Sequence, residues 1–342
     1  MSGYRVAVVG ATGAVGQTML AVLRERGFPA AEIVPFASER SAGKQLEGGL
    51  TVRALGDGPV DGFDVALFSA GSAISREWAP RFAEAGAVVI DNSSCWRMEP
   101  DVPLVVREVN PEAIDGHRGI VANPNCSTMQ MVVALKPIHD AAGIERIVVS
   151  TYQSTSGTGQ QAVEELLGQA HAMLHEMEPG ASEVYPHTIA FNVLPQVETF
   201  KDGDDYTTEE RKMMAETRKI LGDDSLRISA TCVRVPVVNC HSESVNVQTR
   251  DDLAPEACRE LLAGAPGVTV LDEPARAVYP MASDAAGRDD VFVGRIRRDP
   301  SNQRTLNLWV VSDNLRKGAA TNAVQLAELL HERGLIGTRS AA

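Results

Sequence analysis

Residues 6–20 read VAVVGATGAVGQTML. Aliphatic residues come first, then glycine at 10, 13 and 16, then the opening of an amphipathic stretch that runs to residue 27. A buried strand, a glycine turn and a helix in that order let a backbone approach a pyrophosphate closely. The helix start then directs its free N–H groups at the phosphates. Gly10, Gly13 and Gly16 are therefore candidate dinucleotide-binding positions, the plain alternative being a structural turn. The next strand end, FASERSAGK (36–44), carries Ser38, Arg40, Ser41 and Lys44 around a lone Glu39. An arginine beside a serine suits a 2′-phosphate, so the pattern favours NADP over NAD; an exposed charged loop is the other reading.

Working outward, RVAVV (5–9), EIVPFAS (32–38), DVALFSA (64–70) and AVVIDNS (87–93) read as buried-type strands separated by helices such as 15–27 and 75–86. That alternation predicts a parallel sheet covered on both faces. From residue 126 the texture changes. Helical segments come first, among them 207–222, and longer strands follow at 226–238, 243–250, 291–299 and 305–314. The expected architecture is an α/β Rossmann-type dinucleotide-binding domain over 1–125, joined by the C-terminal helix (315–342). It is followed by an α+β domain over 126–314 with a largely antiparallel sheet.

The totals narrow the function. With 342 residues the chain is long enough for two cores, and a net charge of −13 argues against a nucleic-acid or anionic-membrane binder. No apolar run approaches the ~20 residues that span a bilayer, and no charged-then-apolar leader opens the chain, so it reads as cytoplasmic. Five widely spaced cysteines without a C-x-x-C pair favour reduced thiols over disulfides or a metal site. His171 and His175, four apart on a helix, lack a third ligand and read as a solvated face.

One cysteine stands apart. NPNCSTM (123–129) places Cys126 at the mouth of a helix, where free N–H groups and the helix dipole favour a thiolate. Beside a hydride carrier, such a thiolate can add to an aldehyde and leave a thioester after oxidation. His241, at a strand end in VRVPVVNCHSE, is the candidate acid/base, against the reading of a structural histidine. Arg234 lies seven residues upstream, on the opposite face of any single strand, so a bend at Pro236 or Asn239 is needed to bring both to one pocket.

These segments together resemble aspartate-semialdehyde dehydrogenase. The likeness is carried by GATGAVG (10–16), NPNCST (123–128), TYQSTSGTG (151–159), EERKM (209–213), RVPVVNCHSE (234–243) and SDNLRKGAA (312–320). It implies reversible conversion of L-aspartate 4-semialdehyde, inorganic phosphate and NADP to L-aspartyl 4-phosphate and NADPH. In cells this serves lysine, methionine, threonine, isoleucine and diaminopimelate synthesis. By resemblance, Cys126 is the nucleophile, His241 the acid/base, and Gln153 orients the acyl intermediate. Arg234 grips the substrate carboxylate, Glu209 (or its neighbour Glu210) the ammonium, and Arg97 and Lys212 the phosphate. Thr12, Gly13, Ala14, Val15, Arg40 and Ser41 hold NADP, with Ser156, Gly157 and Asn314 toward the nicotinamide. The second domain is expected to form a homodimer, or a tetramer. N-acetyl-glutamyl-phosphate reductases share this chemistry but usually place glycine before and tyrosine after the cysteine, where this chain has Asn125 and Ser127. A silent NADP-binding sensor is the alternative outside enzymes.

Overall fold

In the computed structural model, which describes residues 3–337, the aliphatic run becomes β1 (Tyr4–Val9), and Val6–Val9 are fully buried. The glycine turn leads into α1 (Ala14–Glu25), then β2 (Ala30–Ala37). A short hairpin, β3 (Gln45–Leu46) with β4 (Leu50–Thr51), precedes β5 (Arg53–Ala54). There follow β6 (Val65–Phe68), α2 (Ser72–Glu84), β7 (Val88–Asp91) and β8 (Ile120–Ala122). The sheet runs β5-β2-β1-β6-β7-β8, parallel throughout. Because side chains alternate along a strand, Val6 and Val8 face one layer, while Ala7 and Val9 face the other. The second layer centres on Phe36, Phe63, Phe68 and Phe82, whose rings meet at centroid distances of 5.4–6.1 Å. These are the edge-to-face and tilted spacings that aromatic quadrupoles favour.

The chain divides into two units, Met1–Asn125 with Ala319–Ala342, and Cys126–Gly318. The second opens with α3 (Cys126–Ala142), buried almost all round from Ser127 to Leu135, as a helix apolar on every face must be. Then come β9 (Ile144–Gln153), α4 (Gln160–Leu174), α5 (Thr208–Leu221), β10 (Arg227–Arg234) and β11 (His241–Thr249). The remainder is α6 (Pro255–Ala263), β12 (Val268–Val270), the single turn α7 (Ala282–Ala285), β13 (Val291–Arg298) and β14 (Thr305–Ser312). The order is β10-β9-β11-β14-β13-β12.

This sheet is mixed. Its central pairings β9·β11, β11·β14 and β13·β14 are antiparallel, whereas β9·β10 and β12·β13 at the two edges are parallel. The reason is connectivity. Parallel neighbours need a crossover, and residues 154–226, with α4 and α5, supply one between β9 and β10. Strand β9 itself, IERIVVSTYQ, is absent from the strands expected from sequence.

After β14 the chain makes a π-helical turn (Arg316–Thr321) and enters α8 (Asn322–Glu332). Leu326, Leu329 and Leu330 pack with Met19 and Leu23 of α1 beneath the parallel sheet. The C-terminal helix expected over 315–342 is thus shorter, and residues 338–342 lie outside the described residues.

Candidate active site

In Cys126–Gly318, neighbouring strand ends assemble the polar groups. Gln153 ends β9 and pairs in register with Arg234, which ends β10. On the other side of β9, β11 starts at His241, with Ser242 opposite Tyr152. The bend required between Arg234 and His241 is a full break. The strand stops at Arg234, and Cys240 adopts a left-handed φ of 72° before β11 begins.

His241 is 1% exposed. The Ser154 backbone N–H donates to its Nδ1 at 3.1 Å, so the hydrogen of the neutral ring sits on Nε2. Burial, reinforced by the Arg234 charge, pushes its pKa down to about 3, leaving the ring neutral at physiological pH. A Cβ added at Gly157 would stand 3.1 Å from Nε2 and 3.3 Å from Arg234 Nη1, so the missing side chain leaves room beside both. Arg234 is buried and donates from Nη1 to the Ser154 carbonyl at 2.6 Å. Asn314 ties this corner together. Its Oδ1 accepts from Ser154 Oγ at 3.0 Å and from the Cys240 N–H at 2.9 Å, and its Nδ2 donates to Ser156 Oγ at 3.0 Å.

The Gln153 amide is clamped from two sides, donating from Nε2 to Ser127 Oγ and, at 2.9 Å, to Glu209 Oε1. Glu209 is 3% exposed and its Oε2 lies 3.5 Å from Lys212 Nζ, which also pairs with Glu198. The adjacent glutamates diverge. Glu210 closes a capping box with Thr207 and accepts the Cys232 N–H at 2.9 Å. Of the two, only Glu209 reaches Gln153.

Cys126 begins α3 and is partly exposed; the other four cysteines are buried. Burial pushes the Cys240 and Cys258 thiols up to about 12, and raises those of Cys95 and Cys232 as well, so these four are inert at neutral pH. A Cβ at Gly318 would come within 2.8 Å of the Cys126 Cβ, so only glycine fits against the thiol-bearing residue.

In the other unit, the three loop glycines differ in what they need. Gly10 has φ 86°, and a Cβ at Gly16 would strike the Gly10 carbonyl at 2.2 Å. Gly13 caps α1 at an ordinary φ of −79°, and its Cβ would meet only the Gly10 oxygen at 3.5 Å. Neither conformation nor packing calls for glycine there, and the missing side chain leaves the backbone open to close approach. The first turn of α1 carries no acidic residue, and its N-cap forms no side-chain hydrogen bond. A bound pyrophosphate fits that helix end. Arg40 and Ser41 sit in the turn Glu39–Ser41 just past β2, with Arg40 exposed. Arg97 is 7% exposed, its Nε donating to the Asn123 carbonyl at 2.9 Å and its Nη2 to that of Asn92 at 2.7 Å.

Sequence reasoning assigned no site role to Ser154, Ser127, Glu198 or Gly318; the first two and the last lie inside the quoted motifs, and all four meet a candidate residue only once the chain is folded. Among the described residues no metal-holding cluster and no helix able to cross a membrane occurs.

Two family models match: the semialdehyde dehydrogenase NAD-binding domain over residues 5–117 and the semialdehyde dehydrogenase dimerisation domain over 135–317. Aspartate-semialdehyde dehydrogenase of Aquifex aeolicus is 57% identical over 98% of this chain and 100% of its own length. Aspartate semialdehyde dehydrogenase II of Vibrio cholerae, solved in complex with ASA, superposes with a TM-score of 0.93. It is 50% identical, covering 97% of this chain and 99% of its own. The Candida albicans aspartate semialdehyde dehydrogenase, solved with NADP, gives a TM-score of 0.74 at 27% identity, over 98% and 100% of the two chains. With both family models matched and these relatives alike over nearly its whole length, the chain belongs to the aspartate-semialdehyde dehydrogenase family.

Proposed function

We propose that the chain reversibly converts L-aspartate 4-semialdehyde, inorganic phosphate and NADP to L-aspartyl 4-phosphate and NADPH. The reductive direction would supply lysine, methionine, threonine, isoleucine and diaminopimelate synthesis. The observation that carries this reading is Cys126, the one cysteine outside the core, standing at the N-terminus of a rigidly buried helix.

In the reductive direction the Cys126 thiolate attacks the acyl carbon and expels phosphate, leaving a thioester. Arg97 and Lys212 hold the departing phosphate. Arg234 presents its guanidinium to the substrate α-carboxylate, and Glu209 meets the ammonium, two charge-assisted contacts that fix the chain of the substrate. Gln153, itself held by Ser127 and Glu209, orients the acyl group. NADPH, when bound, would supply the hydride. Its candidate holders are Gly10, Thr12, Gly13, Ala14, Val15, Gly16, Arg40 and Ser41, with Ser156, Gly157 and Asn314 toward the nicotinamide. His241 Nε2–H meets the negative charge that develops on the former carbonyl oxygen, and Ser154 and Asn314 keep the ring in that orientation.

We assign residues 1–125 with the C-terminal helix to cofactor binding and 126–314 to catalysis and homodimer formation. All five cysteines are outside disulfides, which fits the reducing cytoplasm.

The test is an NADP- and phosphate-dependent assay on aspartate semialdehyde, repeated without phosphate. Omitting phosphate should arrest the enzyme with an acyl adduct on the Cys126 peptide, detectable by mass spectrometry. Cys126→Ala should keep NADP binding but retain less than about 1% of turnover. Turnover well above that, or no adduct, overturns the covalent route.

A further inference from the structure

Three buried or half-buried asparagines, far apart in sequence, form one directional chain along the carboxyl edge of the parallel sheet. Asn322, the first residue of α8, donates from Nδ2 to Asn123 Oδ1 at 2.6 Å. Asn123, just past β8, donates from Nδ2 to Asn92 Oδ1 at 2.6 Å. Asn92, just past β7, donates from Nδ2 to the carbonyl of Phe68, the last residue of β6, at 3.0 Å.

Amide oxygens and nitrogens are interchangeable in shape, so the direction has to be fixed by groups that cannot flip. Both ends supply one. Asn322 Oδ1 accepts the backbone N–H of Arg107 at 3.2 Å, which turns its Nδ2 toward Asn123. At the far end the Phe68 carbonyl can only accept, which turns Asn92 Oδ1 toward Asn123. The middle amide then has a single orientation, and its Nδ2 also reaches the Ala319 carbonyl at 3.2 Å. Aligned amides in a low-dielectric interior polarise one another. Asn123 and Asn322 are fully buried.

The output of the chain is specific. The same two residues whose side chains form its inner link, Asn92 and Asn123, offer the backbone carbonyls on which the Arg97 guanidinium is mounted. We propose that Asn322, Asn123 and Asn92 are a positioning relay that aims Arg97 at the phosphate group of the substrate. This rests on the assignment of Arg97 to phosphate made above. Asn322 touches no reacting group in this scheme; it acts through Asn123.

A double-mutant cycle in the complete enzyme tests it, using Arg97→Ala, Asn322→Ala and the two combined, with inorganic phosphate, aspartate semialdehyde and NADP varied in turn. Asn322→Ala should raise the KM for phosphate roughly tenfold or more, as loss of a buried hydrogen-bonded mount requires, while the KM for semialdehyde and the Kd for NADP move less than about twofold. In the Arg97→Ala background it should add nothing further to the phosphate KM, because the group it aims is gone. Additive effects, or an equal loss toward all three ligands, would make Asn322 a general structural residue and overturn the relay. If Arg97→Ala leaves the phosphate KM unchanged, the assignment of Arg97 fails, and that outcome is distinct from an effective Arg97 with an inert Asn322. Should Asn322→Ala not fold, Asn92→Ala enters the cycle from the opposite end with the same expected signature.

Discussion

Among single residues, Glu243 is held in an unfavourable place. It is fully buried on β11, two positions from His241 and therefore on the same face of the sheet, and neither carboxylate oxygen makes a hydrogen bond. Burial raises its pKa well above the ordinary carboxylate value. The sign of the consequence follows from linkage. The native state keeps a proton that the unfolded chain releases near pH 4.3, so the contribution of Glu243 to stability is complete below that pH. It is lost as pH rises toward the elevated native pKa. Glu243→Gln, isosteric and neutral, should therefore melt above the unmodified protein, with the gap widening from about pH 5 to about pH 8. A gap that does not change with pH would mean that Glu243 is charged in the folded protein. Nothing in the string CHSE announces this. Burial of an acid is a property of the sheet around it, and sequence shows only that the acid is there.

Among elements, the first strand, turn and helix were legible because each local preference agrees: aliphatic strand, glycines at the turn, amphipathic helix. Cys126 was legible for a similar reason, since Asn-Pro-Asn cannot continue a strand and Ser-Thr opens a helix. Strand β9 was not. From Ile147 to Gln153 buried and more exposed residues alternate strictly, but residue type hides it: Thr151 and Gln153 are buried while Val148 is half-exposed, and Glu145 and Arg146 at the start mimic a surface segment. Nor was the mounting of His241 by Ser154, a contact made only once β9 and β11 are side by side. The glycines of the turn give a paired prediction at this scale. Gly16→Ala drives a methyl group into the Gly10 carbonyl and should lower the Tm by several degrees, roughly what one or two kcal/mol costs a domain of this size. Gly13→Ala meets nothing closer than 3.5 Å, so its Tm should stay close to that of the parent while its Kd for NADP rises. Equal thermal losses in the two variants, read by calorimetry alongside NADP titration, would show that Gly13 is structural and not a point of ligand approach.

For the whole molecule, charge sets the terms. The chain carries a net −13, yet every ligand in the proposed reaction includes a phosphate or carboxylate. In the proposed scheme attraction comes from Arg40, Arg97, Lys212 and Arg234, each acting at short range against an opposing background. Such short-range attraction weakens once the Debye length falls toward the spacing of the charges. The KM values for phosphate and NADP should accordingly rise as salt is raised from about 20 to about 300 mM, where the screening length shrinks to several ångströms. Steady-state kinetics across that series, with flat constants as the adverse result, decides the matter.

The parallel pairing of β9 with β10 has a consequence for how such a molecule could change its diet. Cys126, Gln153 and His241 stand at the ends of α3, β9 and β11, whereas Glu209 and Lys212 ride on α5, within the long excursion between β9 and β10. That excursion is bonded back to both strands, Glu209 to Gln153 and Glu210 to the Cys232 N–H. In the proposed scheme the residues that would meet the substrate are thus tethered to the amide that would orient its acyl group, and Arg234 on β10 shares that task. A lineage that took up a new aldehyde would have to reshape the excursion while keeping both of those tethers.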